Sequence, residues 1–356
     1  MSNEKDIPDL QELNAKLREF KDLKSEISAL RTELAELKSA LSTLSCRNTA
    51  ELRDLIIFIK DNLRNHVDSR YSAFLNTFYD FRQMRYHENN PDMRLYHSIS
   101  GKLLHEFKKI CDKYGLDYWL DGGTLLGAMR HQDFIPWDDD LDVGTTRKDI
   151  DKILKAVKKS GRLTFKYYFK FDGGYFFKLY FKNLETRPWL DVFVYADTDI
   201  DNIEEMTAFI EERRKKLVEE IVPIQTEKHL PSPCLIHCDD YQNIEALDRI
   251  FRKFLDIDSD PASVRSLTNI TLTNSELKVL FHRYESIFPL GRAIFNGYEY
   301  KVPHIPDEFL RTLYNNYHLF SGTTGKITHT MNLTYDQVQA MLEFERNYVE
   351  PKDEDI

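Results

Sequence analysis

Four aspartates fall within the five residues Asp138-Asp139-Asp140-Leu141-Asp142. In a strand, alternate residues face the same way, so Asp140 and Asp142 would present two carboxylates side by side. Such groups repel, and a cation is expected between them. Hard oxygen ligands of this kind suit Mg²⁺ or Mn²⁺, which also bind phosphate oxygens. Such a cluster is also compatible with a solvated acidic turn. Its surroundings, Ile135-Pro136-Trp137 on one side and Leu141 and Val143 on the other, argue for burial, and buried carboxylates need a partner. Asp191 lies in Trp189-Leu190-Asp191-Val192-Phe193, an aromatic and β-branched strand pattern. It either completes a metal site with Asp140 and Asp142 or is a strand-edge carboxylate paired with a base such as Lys178. Gly122-Gly123-Thr124 follows a short strand pattern. Two glycines let a phosphate approach the backbone, and a helix beginning there would aim N–H groups at it. The same three residues also make an ordinary turn.

The elements that must position these groups can be read from periodicity. A helix is expected from about Arg94 to Tyr114, with Gly115 as its left-handed cap. A strand over Asp117 to Leu120 follows. Next come the glycine loop, a short helix, the aspartate-rich turn and an apolar stretch from Leu141. Arg147 to Ser160 reads as a helix. Leu163 to Phe171, Tyr175 to Lys182 and Trp189 to Tyr195 read as strands. Further helices are expected near 202–221, 243–256, 275–286, 306–317 and 335–348, with a hairpin at Arg292 to Val302 turning on Asn296-Gly297. This order predicts an α/β (α+β) fold, a mixed sheet with helices on its faces.

Upstream, Leu23, Ile27, Leu30, Leu34, Leu37, Leu41 and Leu44 alternate steps of four and three. An apolar seam on a polar helix must be buried, and another copy of itself is the simplest partner. A single amphipathic helix packed on its own chain is the alternative. Leu10, Leu13, Leu17 and Phe20 continue the seam out of register, as a stammer would. The organisation is therefore a coiled coil over 1–50, a helical connector and linker over 51–90 with the linker near Tyr86 to Met93, and a catalytic domain over 91–350.

The chain of 356 residues carries a net charge of −10, which argues against a nucleic-acid partner. Its 4 cysteines are irregularly spaced, so a disulfide framework is not expected. The start, MSNEKDIPDL, lacks the apolar core of a signal peptide, and no apolar run is long enough to cross a bilayer. A cytoplasmic protein is expected, with contact to a membrane surface left open through a partner or a lipid-linked substrate.

The segment LDGGTLLGAMRHQDFIPWDDDLDVG resembles the LicD family, which includes bacterial phosphocholine transferases and fukutin-related proteins of nucleotidyltransferase fold. The likeness covers roughly 94–195 and resumes over 286–320 in FPLGRAIFNGYEYKVPHIPDEFLRTLYNNY, with none identified over 200–285. It implies a CDP-alcohol donor such as CDP-choline or CDP-ribitol and a glycan or glycolipid acceptor, with CMP as leaving group. Lipopolysaccharide or capsule modification would be the setting. By position, Asp140, Asp142 and Asp191 would hold the metal. Gly122, Gly123, Thr124 and Arg130 would meet the donor phosphates. Asp121 would orient the loop or acceptor, and Asp138 would support the ligands. Asp139 departs from the His often found in fukutin-like members, and was expected to face away from the metal. Lys178 in FFKLYF is a candidate phosphate contact or a surface lysine. A nucleotidyltransferase releasing pyrophosphate, and an oligomeric scaffold with a vestigial fold, are the alternatives. The retained aspartates speak against the scaffold.

Three weaker signals remain. Cys234, His237 and Cys238 have donor atoms at short spacing, but no second cysteine pair exists to complete a zinc site, so a loop is the default. Arg213 to Lys216 is a basic run, read as a solvated helix face or as an attractor of anionic glycan or membrane. His131 reads as structural or solvent-facing.

Overall fold

Each expected element near the acidic cluster forms, with boundaries that local chemistry explains. The computed structural model describes residues 90–135, 138–169, 174–230, 233–237, 241–255, 263–269, 279–314, 317 and 333–352. The heptad segment and nearly all of the connector lie outside the described residues. Helix α1 spans Pro91–Tyr114. It begins earlier than expected, and Pro91 opens it rather than belonging to a linker. Proline fits the first helical position, where its missing N–H has no partner to lose. The Asn90 side chain accepts from the backbone N–H of Asp92 and Met93, and Gly115 closes the helix at φ 62°.

The central sheet has eight strands, with β1 (Tyr118–Leu120), β2 (Asp142–Thr146), β5 (Leu190–Thr198), β4 (Tyr175–Phe181), β3 (Leu163–Phe169) and β6 (Cys234–His237) side by side in that order. β2 and β5 run parallel, while β1–β2, β5–β4, β4–β3 and β3–β6 are antiparallel. β7 (Ser266–Thr268) extends from β5 and pairs with β8 (His282–Arg283). The sheet is thus mixed, with helices packed on it. β4 is buried along its whole length, as its aromatic sequence requires. Gly144 lies opposite Trp119, and a Cβ there would strike the indole.

Helix α2 (Gly122–His131) contacts β2, and α3 (Arg147–Ser160) packs against α1 and the sheet. α4 (Ile203–Lys228) and α5 (Tyr241–Leu255) pack together. The short α6 (Tyr284–Ile287) precedes the hairpin β9 (Gly291–Phe295) and β10 (Tyr298–Val302), which lies against β1 and α2. The hairpin turns on Asn296 and Gly297, both at positive φ, as expected. Helix α7 (Pro306–Tyr314) packs on α2, and α8 (Tyr335–Asn347) packs on α1.

Three strands depart from the sequence reading. Cys234–His237 forms an edge strand on β3 rather than a loop. Ser266–Thr268, where no element was expected, pairs with His282–Arg283, which falls inside the helix expected over 275–286; among the described residues of that stretch only those from Tyr284 onward are helical. These strands are two to four residues long. Long-range pairing makes them, so no local period marks them.

Beneath the sheet's helices, Glu106 is 1% exposed and accepts from Arg162 Nε at 2.8 Å and Nη2 at 2.6 Å. Arg162 Nη2 also donates to the Val349 carbonyl at 2.9 Å. The C-terminal segment is further clipped to α1 by Lys102–Glu345 at 2.6 Å and Lys109–Glu350 at 3.0 Å. The elements from α1 to α8 lie in one unit, Met84–Asn315 with Gly325–Ile356. Among the described residues no helix is long and apolar enough to cross a membrane.

Candidate functional site

The acids collect where β2 and β5 begin and α2 starts. Parallel pairing sets Asp142 opposite Asp191. In-register residues of neighbouring strands point to one face, about 4.8 Å apart. β2 starts at Asp142, so Asp140 precedes the strand and the expected alternation does not align the two. Asp140 is nevertheless close. Burial pushes the Asp142 carboxyl well above the usual carboxylate range, and the charges of Asp140, Asp191, Asp121 and Asp138 push it further.

Gly122-Gly123-Thr124 forms the first turn of α2, not a loop before it. The glycines make room for carboxylates. A Cβ on Gly122, which sits at φ +49°, would lie 2.5 Å from Asp142 Oδ2, and one on Gly123 would meet Asp138 Oδ2. Thr124 Oγ1 accepts from the Asp142 backbone N–H at 2.8 Å, locking strand to helix. Asp121 caps α2, accepting from Gly122 N–H at 2.7 Å and from the Tyr195 hydroxyl at 2.8 Å. Burial raises its pKa to about 6 against the opposing pull of those two hydrogen bonds.

Asp191 is buried, and Lys178 Nζ donates to both of its oxygens, at 2.7 and 3.0 Å. Burial raises the Asp191 pKa, Lys178 opposes this, and Asp140 adds to it. Lys178 itself is buried, with its Nζ 4.2 Å from the centre of the Trp189 ring. The pairing raised as an alternative for Asp191 is therefore present. Asp138 is buried, and its carbonyl accepts from His97 Nε2 at 2.5 Å. Asp139 is buried rather than turned out to solvent, and its charge bears on the Tyr96 phenol.

Arg130 stands in the last turn of α2, roughly 12 Å of helix rise from Gly122. There it complements the C-terminal end of the helix dipole. The structure does not bring its backbone to the carboxylates. His131 ends the same helix. Cys234 is buried, whereas the side chain of His237 and all of Cys238 lie outside the described residues.

Three groups at the site had no local signal. The Tyr96 hydroxyl is buried without a hydrogen-bond partner among the described residues. Burial raises its pKa, Asp139 adds to this, Arg187 opposes it, and Asp140 and Asp191 add again. Tyr314, at the end of α7, is raised by burial and then by Asp142, Asp138, Asp121 and Asp140. Arg187 has its guanidinium 5.2 Å from the Trp189 ring, on which Lys178 also bears. Only the third dimension brings these residues to the acids.

Among the described residues no three His, Cys, Asp or Glu side chains are already gathered as a metal cage. The donor chemistry nevertheless fits a divalent cation. Asp140, Asp142 and Asp191 supply only hard oxygens, the charges of Asp140 and Asp191 bear on Asp142, and Gly122 leaves space for the Asp142 carboxylate.

A mixed sheet whose parallel pair carries opposed aspartates, with a helix starting from a Gly-Gly turn beside them, defines a nucleotidyltransferase-like domain. Residues 115–228 match the family described as "LicD/FKTN/FKRP, nucleotidyltransferase domain", so this segment of the chain is similar to that family. The match starts after α1 and runs through α4, whereas the likeness in the sequence covers roughly 94–195 and 286–320. The lipopolysaccharide cholinephosphotransferase LicD of Haemophilus influenzae is 46% identical over 52 residues, 15% of this chain and 20% of that protein. An uncharacterized protein of Rickettsia prowazekii is 33% identical over 106 residues, 27% of this chain and 35% of that one. The human ribitol 5-phosphate transferase FKRP is 51% identical over 41 residues, 12% of this chain and 8% of that protein. The chain thus spans between 8% and 35% of the length of these relatives.

Proposed function

We propose that the domain is a phosphotransferase moving a phospho-alcohol, phosphocholine or ribitol phosphate, from a CDP-linked donor to a hydroxyl of a glycan or glycolipid. The observation that carries this reading is the in-register pair Asp142–Asp191 beside the start of α2, inside the segment that matches the LicD family. The acceptor oxygen forms a bond to the distal phosphorus. The bond from that phosphorus to the bridging oxygen breaks, and CMP leaves. The hydroxyl proton passes to one of the buried carboxylates. Asp140, Asp142 and Asp191 would hold Mg²⁺ or Mn²⁺, which supplies charge neutralisation at the phosphates. Thr124 and Asp121 keep β2 and the head of α2 in one geometry. Lys178 and Arg187 offer positive charge on either side of the donor phosphates.

We assign the acceptor to a surface polysaccharide or lipopolysaccharide modified on the cytoplasmic side, and the heptad segment to self-association. Incubating the full chain with Mg²⁺, a panel of CDP-alcohols and a glycan acceptor should release CMP. Release of pyrophosphate from a nucleoside triphosphate instead would favour a nucleotidyltransferase. Release of neither would end the enzymatic reading.

A further inference from the structure

Lys178 occupies the place where a cation is needed. Its ammonium takes both oxygens of Asp191, at 2.7 and 3.0 Å, while Asp142, the partner of Asp191 across the strands, has no such relief. Both members of the ion pair are buried, with Lys178 ringed by Tyr168 at 5.4 Å, Phe176 at 5.3 Å and Trp189 at 4.2 Å. A buried carboxylate that stays ionised needs a cation beside it. A metal at Asp140, Asp142 and Asp191 needs the Asp191 lone pairs that now accept from Lys178. The two cations therefore compete for one carboxylate.

We infer that Lys178 is a built-in stand-in for the divalent cation at Asp191, and that it exchanges onto a donor phosphate oxygen when metal and donor enter together. The exchange keeps every buried charge paired. Asp191 passes from ammonium to metal, and the ammonium passes from carboxylate to phosphate. The aromatic ring cluster suits such a transfer, since the faces of Trp189, Tyr168 and Phe176 stabilise the cation between anionic partners. The consequence is ordered binding. Metal alone binds weakly because it must leave Lys178 unpaired, and donor phosphate supplies the missing partner. The inference rests on the proposed function and adds a role for Lys178 that the LicD likeness does not assign.

The test measures Mn²⁺ binding to the full chain by the electron spin resonance signal of the free ion. Wild type should bind Mn²⁺ alone weakly, and at least tenfold more tightly with CDP-choline present. Lys178→Met should bind Mn²⁺ alone at least tenfold more tightly than wild type, and Asp191→Asn in that background should erase the gain. Equal Mn²⁺ affinity of wild type and Lys178→Met overturns the exchange and leaves the transferase reading intact. No Mn²⁺ binding by any variant, even with CDP-choline, overturns both. If Lys178→Met does not fold, acetylation footprinting of wild type decides. Lys178 should become more reactive with Mn²⁺ alone and protected again when CDP-choline is added, and unchanged reactivity overturns the exchange.

Discussion

Asp142 and Asp191 stand opposite each other in parallel strands, yet Lys178 neutralises only Asp191. The unbalanced member should reveal itself in stability. A carboxyl raised in the folded state favours the fold while protonated and loses that contribution as pH rises through the folded pKa. Asp142→Asn should therefore melt a few degrees higher than wild type at pH 8 without metal, and lose CMP release by about 1,000-fold or more. Differential scanning fluorimetry with and without Mg²⁺ checks the first half, and a CMP-release assay checks the second. Metal together with CDP-choline should raise the wild-type midpoint and not that of the variant.

Asp121 supplies a separate pH signal. Its carboxyl titrates near 6 in the fold against an ordinary value of 3.8. Its contribution is full below about 4 and falls away as pH rises through about 6, on the order of 3 kcal/mol lost. Urea midpoints measured from pH 4 to 7.5 should decline across that window in wild type. They should decline less in Asp121→Asn, whose amide oxygen keeps the cap to Gly122 while its NH2 donates to the Tyr195 hydroxyl oxygen. Parallel profiles would refute the assignment.

Gly123→Ala addresses space rather than charge. The added methyl meets Asp138 Oδ2, so either the carboxylate or the head of α2 must move. A cost of about 1–3 kcal/mol is expected in urea unfolding, with a loss in kcat/KM for CMP release far larger than that of Gly161→Ala, another glycine. A Gly123→Ala enzyme with wild-type kinetics would show that carboxylate placement here is unimportant.

Arg162→Met leaves Glu106 buried without its cation. About 3 kcal/mol should be lost, the lower end for a broken buried pair, because Arg162 itself is partly exposed. Glu106→Gln combined with Arg162→Met should recover part of the loss. A double-mutant cycle in urea would show this as a coupling energy above about 1 kcal/mol.

Periodic elements were legible in the sequence. α3 spans Arg147–Ser160 as its pattern of Ile150, Ile153, Leu154 and Val157 dictates, and the hairpin turns at Asn296-Gly297. Sequence order placed Asp142 and Asp191 on separate strands, but not which strands would be neighbours. The glycines illustrate what spacing alone does not reveal. Gly122 and Gly123 were noticed as a phosphate approach, while the atoms nearest their missing Cβ positions are carboxylates of this chain. Tyr96, Arg187 and Tyr314 were not singled out, because an aromatic or a base in an amphipathic segment carries no mark of the cluster it will face. The heptad seam lies outside the described residues.

The clasp between α8 and α1 has a consequence in time. Ser98 on α1 hydrogen-bonds Glu345 on α8, 247 residues later in the chain. On a ribosome adding about 5–20 residues per second, α1 would wait roughly 12–50 s for that partner. Through that interval the apolar flank that α8 later covers has no lid of its own. The nascent chain therefore carries that flank of α1 open to aggregation until α8 emerges.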